Sequence, residues 1–137
     1  MNTNSHITYT NGIIGGLVGG VFFGGLMAMM GMVPMIAMMV GSESMVVGWI
    51  VHLLISAATG ALFVTVFGTK VISYQTAILY GAGYGVIWWV LGALIIMPVI
   101  LGMGVQFSSM FDMMRMMSLM GHVVFGVVLA VVAYKMG

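Results

Sequence analysis

The chain contains no cysteine. That excludes disulfides, iron–sulfur ligation by thiolates, a cysteine nucleophile and haem attachment through CxxCH, and it leaves the compartment open. Charge is almost as scarce. Lys and Arg number 3 and Asp and Glu 2, so charged residues make up 4% of the sequence. Soluble domains carry roughly 25%, and 4% cannot coat a globule in water. The formal net charge of +1 provides no basic field for a nucleic acid. The two carboxylates, Glu43 and Asp112, both fall in polar breaks between apolar runs. No Ser–His–Asp set, HExxH, phosphate-binding loop or dinucleotide fingerprint occurs. The run GAGYG sits inside an apolar stretch with no strand before it and reads as a packing motif. The inventory points to a non-enzymatic protein.

What remains is apolar: 63% of residues are hydrophobic. About 20 mainly apolar residues cross a bilayer as a helix, and four stretches qualify, at about 12–33, 45–67, 74–97 and 116–134. The first eleven residues, MNTNSHITYTN, form a polar N-terminal tail (1–11) without the basic region of a secretory signal, so the first apolar run is expected to be a retained span. Lys70 lies between the second and third spans and Lys135 follows the fourth; Arg115 falls on the other side with Glu43 and Asp112. The positive-inside rule then predicts cytoplasmic termini.

Two halves, 12–68 and 69–137, follow one order. Gly16 and Gly20 precede Pro34, a polar break, His52 and Gly68; Gly81 and Gly85 precede Pro98, a polar break, His122 and Gly137. Each half is a two-span hairpin, so the copies share one orientation about an axis along the membrane normal. The predicted fold is all-α, a four-helix transmembrane bundle of two tandem two-helix repeats in parallel orientation. Gly12, Gly16, Gly20, Gly24 and Ala28 recur every fourth residue, with Gly15, Gly19 and Gly25 widening the seam. Ala77, Gly81 and Gly85 repeat the spacing, with Gly92 and Ala93 further along. Small residues at this spacing let helix backbones approach in lipid. The seams serve contacts within the chain or a homo-oligomer. Pro34 and Pro98 predict a kink or break, with the following segment at the interface or folded over the bundle. Phe107, Met110, Phe111 and Met114 would share one face of an interfacial helix in the loop 104–115. Asp112 and Arg115 are spaced for an ion pair.

His52 and His122 are the leading site candidates. Each lies roughly 5 Å outward of its span's midpoint, and ionisable residues within spans face protein or a cavity. His52 shares a stripe with Ser56, Thr59 and Gly60; His122 shares one with Ser118, Gly126 and Ala130. The histidines either hydrogen-bond across helix contacts or form a shared ligand, proton or metal site. All but two of the 18 methionines lie between Met27 and Met45 or between Met97 and Met120. Thioethers and imidazole suit Cu(I), which nominates His52, His122, Met45 and Met120; methionine equally serves as a flexible apolar filler. Two imidazoles from separate helices could also hold a noncovalent b-type haem. Trp49, Tyr74 and Tyr134 fit interfacial belts. Of the adjacent Trp88 and Trp89, one is expected toward lipid and the other beside a histidine. Tyr80 and Tyr84 need partners for their hydroxyls.

The runs PMIAMMVGSESMVVGWIVHLLISAATG, YGAGYGVIWWVLGALIIMPVILGMG and SLMGHVVFGVVLAVV resemble a family of small four-span prokaryotic integral membrane proteins, over roughly residues 12–134. The resemblance implies the four-helix fold, the retained first span and a prokaryotic cell membrane, and brings no activity or site assignment. Two functions are expected from these readings. One is a non-enzymatic membrane protein acting as a homo-oligomer or accessory subunit. The other is a carrier or binding protein for a small solute, copper or haem using the paired histidines. The lipid bilayer is the predicted partner in both, with self-association or other membrane subunits beside it and no nucleic acid.

Overall fold

A computed structural model describes residues 7–137; most of the expected N-terminal tail lies outside them. The described residues form five helices: α1 (Tyr9–Met29), α2 (Val33–Met38), α3 (Met45–Phe67), α4 (Tyr74–Ile100) and α5 (Met113–Met136). All but α2 are long and apolar enough to cross a membrane. Their outward faces are hydrophobic: Leu54 on α3 and Leu79 on α4 are 66% and 67% exposed. Such surfaces require a lipid-like solvent, so the chain has the character of a multi-pass membrane protein.

Hydroxyl side chains start three of the long helices by accepting otherwise unpaired backbone N–H groups. Thr8 accepts from Asn11 at 3.2 Å, and Ser44 accepts from Val47 at 3.4 Å. At α4 the device is reciprocal, with the Thr76 amide on the Ser73 hydroxyl at 3.1 Å and the Ser73 amide on Thr76 Oγ1 at 2.9 Å. Gly31 ends α1 in the left-handed region, φ 69°. The amides of Gly31 and Met32 turn back to the carbonyls of Ala28 and Met27, the closing pattern that a glycine permits. Pro34 then opens α2, which folds back onto α3. Val33 is 1% exposed, and a side chain at Gly48 would strike its carbonyl. The expected break at Pro34 is present.

Pro98 disturbs its helix as expected, but without the fold-back seen after Pro34. Helix α4 runs through it to Ile100, and Gly102 follows in the left-handed region, φ 76°. Proline has no N–H for the carbonyl four residues earlier, here Leu94. The Gln106 amide takes that carbonyl instead, at 2.9 Å. The residues before the proline, Trp89–Ile96, wind as a π-helical segment, a wider coil that accommodates a disturbed hydrogen-bond ladder. The loop at 104–115 also departs from the expected interfacial helix. It has a single 3₁₀ turn at Phe107–Ser109 and is organised by Gln106. The Gln106 amide nitrogen donates to the carbonyls of Met103 and Gly104, and its Oε1 accepts from Arg115 at 2.6 Å. Asp112 pairs with Arg115 at 3.6 Å.

Close backbone packing joins α1 to α3, α1 to α5, and α4 to α5. Glycine makes each contact possible. A Cβ at Gly16 would strike the Ser56 carbonyl on α3, and one at Gly19 would stand 2.8 Å from the Phe125 carbonyl on α5. Gly81 and Gly85 face the carbonyls of Gly126 and His122 in the same way. Helices α3 and α4 form no comparably close pair. They meet at the end of the bundle where α1 begins and α5 ends, through an aromatic cluster: Phe63 and Tyr84 at 5.1 Å between ring centres, Phe67 and Tyr80 at 5.3 Å. Toward the other end they diverge.

A histidine-lined cavity between the second and third long helices

The divergence leaves a cavity of about 470 Å³ bounded by α3 and α4, backed by α1 and α5 and roofed by α2. That volume lies within the range of small-molecule sites. Ile55 and Ile96 at its rim are 44% and 45% exposed, so it opens onto surface that a bilayer would cover. Its wall is almost wholly apolar. The polar exceptions are His52, Ser56 and Thr59 from α3 and Ser118 and His122 from α5.

Both histidines are brought to this one cavity. His52 is buried, and its Nε2 lies 2.8 Å from the Gly20 carbonyl. His122 places Nδ1 2.8 Å from the Ser118 carbonyl, with Ser118 Oγ at 3.4 Å. A carbonyl only accepts, so each of these nitrogens carries a hydrogen. The tautomers of the neutral rings follow: His52 keeps a lone pair on Nδ1, His122 on Nε2. The two rings do not stack on each other. Phe23 contacts both, at 5.5 Å from His52 and 4.6 Å from His122, which bounds the distance between the imidazoles by the sum of the two. The glycines set this geometry. A Cβ at Gly20 would collide with Ser56 Oγ, one at Gly24 would strike the Trp49 ring, and one at Gly121 would enter Phe23.

Of the residues nominated from sequence, Met45 and Met120 do not line the cavity; they are 50% and 64% exposed. Six other methionines do: Met27, Met30, Met32, Met39, Met97 and Met117. Among the described residues no three His, Cys, Asp or Glu side chains cluster for a metal. A copper ion here would therefore draw its further ligands from these thioethers. For a haem held by both imidazoles, His122 has the free Nε2, whereas His52 has already placed its Nε2 on Gly20. The donor set fits an organic molecule better than a bis-imidazole iron.

Phe23, Trp88 and Gly92 were not singled out as site residues by sequence. Trp88 lines the cavity with its ring, and its Nε1 is buried beside Tyr84. Trp89 is 4% exposed and donates to the Arg115 carbonyl at 2.9 Å, so neither indole is turned wholly outward. Gly92 was expected on a helix seam. It lies on the cavity wall, and nothing stands within 4 Å of a Cβ built there; Gly25 likewise faces open space. The Phe23 signal was its place one turn beyond Gly20, on the same face of α1. Comparison with family profiles, curated proteins and solved structures finds no match.

Proposed function

We propose that the chain is a membrane-embedded binding protein that takes a small, mainly apolar molecule from the bilayer into the cavity between α3 and α4. One observation carries this reading: two imidazoles with fixed tautomers reach the same apolar cavity from different helices. A large apolar pocket with a few convergent polar groups is the usual form of a small-molecule site. The test uses Gly92→Cys in a chain otherwise free of cysteine. N-ethylmaleimide should alkylate it in lipid nanodiscs, and an apolar extract of the native membrane should slow that reaction severalfold. Unchanged alkylation with every extract would count against the reading.

We further propose that the two halves are copies in parallel orientation, with both termini in the cytoplasm. Supporting the duplication, Gly16 and Gly20 meet α3 as Gly81 and Gly85 meet α5. The same register sets Tyr80 and Tyr84 where the first half has Gly15 and Gly19. The glycines admit α5 against α1; the tyrosines hold α3 away from α4. A duplicated hairpin thus acquires a cavity between α3 and α4. The cytoplasmic assignment is supported by Lys70 and Lys135 at the end bearing the termini and Arg115 at the other.

A further inference from the structure

We infer that the cavity selects a neutral, lipid-soluble molecule whose head donates hydrogen bonds, such as a phenol or alcohol, over a compound with acceptors alone. This rests on the binding role proposed above and on where each polar hydrogen of the lining goes. The single N–H of each neutral imidazole is taken by a backbone carbonyl, of Gly20 for His52 and of Ser118 for His122. Among the described residues no hydrogen-bond partner is placed on the remaining ring nitrogens, and both rings line the cavity. The hydroxyl protons of Ser56 and Thr59 go to the carbonyls of His52 at 2.7 Å and Ile55 at 2.8 Å. Lone pairs therefore dominate the polar part of the wall, leaving the Ser118 hydroxyl as its donor.

A charged head would find no counter-ion, because among the described residues no Asp, Glu, Lys or Arg lines the cavity. A carbonyl compound can accept from Ser118 but leaves both imidazole lone pairs unmatched. A hydroxyl can do both, donating to a ring nitrogen while its oxygen accepts from the Ser118 hydroxyl. Sites built to pair with a substrate hydroxyl reject the analogue lacking it far more strongly than sites that only pack. Phe23, Phe125 and Trp88 supply aromatic walls for a ring.

The test is calorimetric titration of the full chain in lipid nanodiscs with 4-hexylphenol and with 4-hexylanisole, its methyl ether, each corrected by empty nanodiscs. The phenol should bind at least about tenfold more tightly than the ether, the worth of one well-made hydrogen bond. His122→Leu should erase most of that preference, and His122→Gln, which restores an acceptor, should recover part of it. Gly92→Leu should weaken both compounds by filling the space. Equal affinity for phenol and ether, with Gly92→Leu still weakening both, overturns the donor requirement and leaves the binding cavity standing. Absence of binding by either compound overturns the cavity's role and this inference together.

Discussion

Tyr84 on α4 donates its phenolic O–H to the Thr59 carbonyl on α3 at 2.5 Å. This contact joins the two long helices that lack close backbone packing, just below the point where they part to form the cavity. Tyr84 is 3% exposed, so its ring acts as a spacer and its hydroxyl as a tie. Tyr84→Phe keeps the spacer and removes the tie. The expected cost is about 1 kcal/mol, read by reversible SDS unfolding, with binding of an apolar ligand retained.

The glycine seams give a paired prediction. Gly16→Ala puts a methyl group into the Ser56 backbone carbonyl, whereas Gly25→Ala meets nothing within 4 Å. The first should destabilise the bundle by about 1–3 kcal/mol through overpacking. The second should be within about 0.5 kcal/mol of the parent or slightly stabilising. Equal effects in SDS unfolding would contradict the close packing of α1 on α3.

Gln106 organises the segment between α4 and α5. Gln106→Ala removes the side-chain bonds to Arg115, Ser109 and the carbonyls of Met103 and Gly104, but leaves the backbone amide on Leu94. Amide hydrogen exchange should therefore accelerate from Met103 to Asp112, while the Gln106 amide stays protected by the Leu94 carbonyl. Loss of protection at Gln106 as well would mean that the side chain, rather than the proline's vacant carbonyl, holds this segment.

The absence of cysteine makes topology directly measurable. Single substitutions Thr69→Cys and Ser108→Cys lie in connections at opposite ends of the bundle. In intact cells a membrane-impermeant maleimide should label Ser108→Cys, and Thr69→Cys only after permeabilisation. The reverse pattern would invert the proposed orientation.

Much of the architecture was legible from residue pattern. The four spans follow from the absence of charge over long stretches, and the break at Pro34 from a proline placed just past a glycine able to end a helix. The Asp112–Arg115 pair follows from its spacing. Two features were hidden because they depend on partners distant in sequence. Nothing near Pro98 shows that the Gln106 amide will take the Leu94 carbonyl, allowing α4 to run on. Nor does the Tyr80–Tyr84 pair show that it will face Phe63 and Phe67 and hold two helices apart. The histidines were visible as a pair, but their meeting at one cavity required that separation. Met45 and Met120 shared the region of the histidines in sequence, yet the helical turn carries them to the outer surface.

The central claim is that the space between α3 and α4 is a binding site. Native mass spectrometry of protein released gently from its own membrane tests it most directly, comparing the parent with Gly92→Leu. The parent should carry a small lipid-soluble molecule of defined mass at one per chain, and Gly92→Leu, folded equally well, should have lost it. The same bound species on both proteins, or a spectrum in which the parent retains only bulk lipid, would contradict the account.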